Sequence, residues 1–185
     1  MPAVEGIRSP YDKHAGGLHH LGRMLDKMRL KLAGRLPEDF QRNYGLSFGL
    51  DGLLCGFLGV EFAAIEPRVA AGGTDAEIAE WIFTQGLRPN RGQTQVWNEY
   101  IRKLGWNDRG TAVITKVKEQ AGLTARTDIQ TIFDGIEVLD LAWGLLTGAL
   151  LLALTGALQH WAPWIDQAYV FRGNGSGSIN GSIAQ

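Results

Sequence analysis

The chain has 185 residues, 18 Lys and Arg against 19 Asp and Glu, a net charge of −1 and a single cysteine, Cys55. This balance excludes a nucleic-acid binder that works through bulk positive charge, and one thiol excludes an intramolecular disulfide framework. Every Lys and Arg except Arg172 precedes position 141, so the average conceals a charged part long enough to bury a core and an apolar part behind it.

Met1-Pro2-Ala3-Val4-Glu5 carries no apolar h-region, so no secretory signal is expected, and residues 1–17 read as irregular up to Gly16-Gly17. Leu18, Leu21, Leu25, Met28 and Leu32 then recur at three- and four-residue spacing and predict an amphipathic helix ending near Gly34. Its other face carries Arg23, Lys27, Arg29 and Lys31 with Asp26; residues 1–35 hold seven basic and three acidic side chains. The pattern reads as a solvated face or, more sharply, as a face where Arg23, Asp26, Lys27 and Arg29 meet anionic lipid heads, an acidic partner or a ligand.

Leu46 and Phe48 through Val69 form a second apolar region, read as two short helices broken near Gly59 and ended by Pro67 and Gly72-Gly73. Cys55, within Leu53-Leu54-Cys55-Gly56-Phe57, reads as a core thiol. Thr74-Asp75-Ala76-Glu77 is a capping-box pattern that starts a helix through Ile78, Trp81 and Ile82 to about Gly86. A helix over Thr94–Leu104 would turn Val96, Trp97, Tyr100, Ile101 and Leu104 inward, and another over Asp108–Ala121 stops at Gly122. From Asp128 to Asp140 the helical period resumes in Ile129, Ile132, Phe133, Ile136 and Leu139, and every ionisable residue there is acidic. Anionic lipids would repel that segment unless the domain or a partner neutralises it.

Ser9-Pro10-Tyr11-Asp12-Lys13-His14-Ala15-Gly16-Gly17-Leu18, followed by Leu21-Gly22-Arg23-Met24-Leu25-Asp26-Lys27-Met28-Arg29 and Leu32-Ala33-Gly34, resembles a bacterial family of small soluble domains of unknown function. Thr74-Asp75-Ala76-Glu77-Ile78 with Trp81, Gly105-Trp106 and Asp128-Ile129-Gln130-Thr131-Ile132-Phe133-Asp134 look like the rest of it. The resemblance covers roughly 9–140 and implies no activity. This sequence departs from the family at Leu139-Asp140, where it runs on into apolar residues.

Leu141–Ile165 contains no Asp, Glu, Lys or Arg. Its first 18 residues, rich in Leu, Ala and Gly, would cover about 27 Å as a helix, close to the ~30 Å hydrocarbon core, and predict a C-terminal transmembrane helix over 141–165. Trp143 at one boundary and Trp161 and Trp164 at the other would anchor it at headgroup depth. Gly144 and Gly148, then Ala149, Ala153 and Ala157, align small residues against which a partner helix can pack. A folded domain without an export signal stays inside, so the expected setting is a bacterial inner or intracytoplasmic membrane crossed once, N-terminus cytoplasmic, with the Gly/Ser/Asn-rich tail 166–185 in the periplasm. Trp161-Ala162-Pro163-Trp164 is similar to the Trp-Arg-Pro-Trp ending of bacterial light-harvesting β polypeptides. Their pigment-ligating His would fall near Thr155, so that ligand is absent. His160, beside the Trp cluster, reads as a headgroup contact ahead of a tetrapyrrole ligand.

His14, His19 and His20 cluster, but no Cys, Asp or Glu stands at the spacing that would complete a zinc site, so no metal is expected. No Ser-His-Asp or P-loop signature is present, and Gly173-Asn174-Gly175-Ser176-Gly177 lacks the preceding strand and following helix of a dinucleotide fingerprint. The expected fold is all-α: a cytoplasmic domain of about six helices over 1–140, the span over 141–165 and the tail. The expected function is that of a non-catalytic, single-span accessory subunit in a larger membrane complex. The light-harvesting resemblance points to a photosynthetic reaction-centre assembly, with other transmembrane subunits and the lipid bilayer as partners and no nucleic acid. No cofactor is expected on the chain's own ligands, while bacteriochlorophyll, carotenoid or lipid would be touched within such a complex. The alternative is a membrane-tethered enzyme or small-ligand-binding domain that uses the basic first helix.

Overall fold

The computed structural model describes residues 5–143, with side chains through Asp140. Eight helices and no strands occur among the described residues: α1 (Leu21–Leu32), α2 (Glu38–Gln41), α3 (Leu50–Leu58), α4 (Phe62–Ala70), α5 (Asp75–Gln85), α6 (Arg91–Lys103), α7 (Thr111–Gln120) and α8 (Ile132–Trp143). None of them is long and apolar enough to cross a membrane. The expected span beyond Trp143, with Gly144, Gly148, Ala149, Ala153, Ala157, His160, Trp161 and Trp164, lies outside the described residues, as does the tail.

The fold is organised around α1. Leu21, Met24, Leu25 and Met28 are fully buried, as periodicity requires, and pack with Leu54 and Leu58 of α3, Ile65 and Val69 of α4, Ile78 and Ile82 of α5, Trp97 and Ile101 of α6 and Phe133 of α8. Leu32, the last residue of α1, is 52% exposed, so the inward stripe ends one turn early. A smaller cluster, Ile7, Leu30 and Leu36 with Phe40 and Tyr44, seals the other end of α1.

Helix ends follow local chemistry. Thr74 and Glu77 form the capping box read from the sequence, and Asn90 with Gln93 forms a second one that starts α6 earlier than Thr94. In α6 only Trp97, Ile101 and Leu104 of the expected set are buried; Val96 lies 68% exposed, on the flank of that stripe. Pro67 does not end α4: the helix runs on to Ala70, with Ile65 and Val69 one turn apart on its buried side. Likewise α8 begins at Ile132, not Asp128. The Thr131 hydroxyl accepts from Asp134 N (3.1 Å) while Asp134 accepts from Thr131 N (2.9 Å), which sets the start there. Helix α2 had no periodic signal; it is a single turn with Glu38 and Asp39 at its N-terminal end.

Candidate functional site

Because α1 is enclosed over most of its length, most of its charges are not a solvated face; Lys31, near its end, is exposed. Arg23, Asp26 and Lys27 are all buried, and each is paired. Asp26 receives a bidentate grip from Arg8 (2.7 Å to each oxygen); the same guanidinium reaches Asp75 at 2.6 Å, and Arg29 closes on Asp75 from the half-exposed rim. Arg23 bonds Asp140 of α8 (2.7 and 3.1 Å) and the carbonyl of Arg8. Thus three of the acids between 128 and 140 have partners within the domain: Asp140 is paired with Arg23, Asp134 accepts from Tyr11 at 2.6 Å, and Asp128, ahead of α8, pairs with Arg126 at the surface.

The third pair is the deepest. Lys27 Nζ lies 2.7 and 2.6 Å from the two oxygens of Asp51, in the first turn of α3. Asp51 also accepts from His20 Nε2 (2.8 Å) and from Gly45 N (3.1 Å). Gly45 has φ +65, and a Cβ there would meet the Phe62 ring at 2.6 Å, so only glycine brings this amide to the carboxylate. Burial opposes ionisation of Asp51, but Lys27 and the bond from His20 outweigh it and hold the carboxyl well below its usual range. Burial pulls Lys27 and His20 down, each against the pull of Asp51. An ionised carboxylate only accepts, so Nε2 of His20 carries the hydrogen and Nδ1 bears the lone pair.

His20 is unusual twice over. It immediately precedes α1 with φ 71, left-handed backbone that a non-glycine residue seldom adopts. Its neighbours enforce this: His20 N donates to Pro10 O (3.0 Å), His19 N to Asn98 (2.8 Å), Asn98 to Gly17 O (2.9 Å) and Trp97 Nε1 to His19 O (3.2 Å). Second, Nδ1 is buried without a hydrogen-bond partner. Backbone strain that the surroundings over-determine, and a buried polar atom left open, both concentrate at functional sites.

His20, Arg23, Lys27, Asp51 and Asp140 line a cavity of about 340 Å³, to which Asp39, Asn43, Arg109 and Gln120 add further polar groups. Facing them are Val113, Ile114 and Val117 of α7, Ile136 and Leu139 of α8, and Leu46, Phe48 and Leu104. Gly135 lets α7 and α8 close on one another, since a Cβ there would meet Ile114 at 2.7 Å. The volume falls in the ~300–1,000 Å³ range of small-molecule sites, and a mostly apolar lining with a few placed polar groups is their usual make-up. Arg23 and Lys27, singled out in the sequence, therefore share this cavity, whereas Asp26 and Arg29 belong to the Arg8–Asp75 network. Asp51 was missed, although a lone acid in the apolar run of α3 signals a buried partner, and His20 was weighed only as one of a histidine cluster for metal. No group of three His, Cys, Asp or Glu among the described residues is placed to hold a metal.

The family model for a domain of unknown function (DUF5069) matches residues 4–141, and the chain belongs to that family. No curated protein matches it.

Proposed function

We propose that this DUF5069 protein is a non-catalytic ligand-binding domain that holds a small, elongated, mostly apolar molecule in the cavity between α1, α3, α7 and α8. The observation that carries this reading is the cavity itself: about 340 Å³, aliphatic on the α7 and α8 side, with a strained, incompletely bonded His20 on the other. A recess of this size with a mostly apolar lining and a few polar groups is the usual form of a small-molecule site. Neither Lys27 nor Arg23 stands free as a reacting group, since each is bound to a carboxylate.

The test is saturable binding of the neutral fluorophore 1-aminoanthracene to the full-length chain in lipid nanodiscs, with empty nanodiscs as the blank. Wild type is expected to show one saturable site; Val113→Trp, which fills the cavity from α7, is expected to lose it while keeping its helical circular dichroism. Equal binding by both would remove the cavity from the account.

A second reading concerns what the domain is attached to. The charge-free run from Leu141, the small-residue rows from Gly144 to Ala157 and the Trp161–Trp164 ending favour a membrane-anchored accessory subunit, in the specific form one associated with a photosynthetic reaction centre and its light-harvesting chains. The two readings are compatible, since a tether delivers the cavity to a membrane where apolar ligands concentrate. Purification in mild detergent tests it: stoichiometric pigment-bearing chains support the subunit, and a colourless, partner-free protein refutes it.

A further inference from the structure

We infer that the ligand of this cavity is a cationic amphiphile, an apolar chain ending in an ammonium group, and that the ammonium pairs with the carboxylate of Asp39. The inference rests on the cavity reading above and narrows it to a chemical class.

The recess has two distinct ends. Ile132 N, at the start of α8, donates to Leu104 O (2.8 Å), and a Cβ on Gly110 would meet Gly105 N at 2.9 Å, so α7 and α8 both set out from Leu104-Gly105. Arg109, just ahead of α7, marks this near end, where its guanidinium donates to the Tyr100 hydroxyl. From Ile132 the axis of α8 advances about 12 Å to Asp140. There Arg23 grips Asp140 and lies 5.5 Å from the centre of the Phe40 ring, which puts Asp39 of α2 at the far end of the same recess.

Charge is unbalanced at that far end. Arg23 is matched by Asp140 and Lys27 by Asp51, while burial keeps His20 neutral. Asp39 is different. It is half-buried, and beyond its own backbone amide its carboxylate has no hydrogen bond or ion pair among the described residues. Arg42, one turn on, reaches Glu38 instead (3.9 Å), and burial pushes the Asp39 carboxyl up more than Arg42 draws it down. An ammonium entering there meets a partly desolvated acceptor that no side chain satisfies, with the Asn43 amide oxygen as a second acceptor and the apolar sides of Leu139, Ile136 and Val113 for its chain. A carboxylate head at this end would face Asp39 directly. Its converse seat is Arg109, at the other end, so the sign of the preferred head group reports which end holds it.

Competition against 1-aminoanthracene at pH 7.5, with the full-length chain in phosphatidylcholine nanodiscs that carry no net lipid charge, compares three molecules of matched chain length: octylammonium, 1-octanol and octanoate. In the wild type octylammonium is expected to displace the fluorophore at lower concentration than octanoate. In Asp39→Asn the concentration of octylammonium needed is expected to rise roughly five-fold, the yield of one half-exposed ion pair, while that of octanol stays the same. Glu38→Gln, which removes the neighbouring carboxylate outside the recess, is expected to leave all three unchanged. Tighter displacement by octanoate than by octylammonium in the wild type would overturn the cationic class and move the head to Arg109. An octylammonium response equal in wild type and Asp39→Asn, or weakened as much in Glu38→Gln, would overturn the Asp39 assignment. Fluorophore binding that is absent in the wild type, or equal in Val113→Trp, would remove the cavity reading itself and this inference with it.

Discussion

At the residue scale, the triad of His20, Lys27 and Asp51 makes stability depend on pH in a direction that can be worked out. Burial depresses His20 below its ordinary value of 6.5, so as pH falls below that value the unfolded chain binds a proton that the folded chain refuses, and stability is lost. Asp51 is also depressed, so its contribution is present above 3.8 and disappears as pH falls below that. Urea unfolding is expected to show lower stability at pH 5.5 than at pH 7.5, with a smaller decline in His20→Phe; His19, likewise depressed by burial, keeps the decline from vanishing. A rise in stability on acidification would mean a charged imidazolium grips Asp51. Removing one member of the buried ion pair leaves the other uncompensated, so Asp51→Leu or Lys27→Met alone should cost about 3–5 kcal/mol, and the double substitution less than either. A double substitution that costs the sum of the two single ones, measured by urea unfolding, would show that the pair does not act as a unit.

At the scale of elements, helix identity was legible wherever one face repeated. The stripe of α1 as far as Met28, the Gly59 break between α3 and α4, and the Thr74–Glu77 box of α5 appear as the sequence indicated. What was not legible depended on side chains choosing partners locally. Asp134 reads as one more acid in a long helix until its bonds to Thr131 and Tyr11 fix where α8 starts. The charges of α1 look like a wet surface because sequence shows alternation but not that α8 brings Asp140 to Arg23, or α3 brings Asp51 to Lys27. Two caps supply the quantitative check: Thr74→Ala and Thr131→Ala should each cost about 1 kcal/mol, the value of one N-cap. Thermal unfolding measures both; a neutral Thr131→Ala would show that α8 does not depend on that cap.

For the whole molecule, α1 joins the core to the cavity. One side of it packs the core through Met24, Leu25 and Met28, and the other supplies the polar wall of the cavity through Arg23 and Lys27. Helix α8 closes that cavity with Ile136, Leu139 and Asp140, and its chain continues into the charge-free run after Asp140. Cavity and proposed anchor thus adjoin in sequence at the end of α8. If the run spans a bilayer, the full-length chain should stay in the membrane pellet through alkaline carbonate washing, and release into the supernatant would contradict a span.

The most direct measurement is organic extraction of the full-length protein purified from its native cells, followed by mass spectrometry of the extract against a Val113→Trp preparation. The account predicts one mostly apolar compound in near-stoichiometric amount from the wild type and none from the variant. A wild-type extract indistinguishable from that of the filled cavity would contradict it.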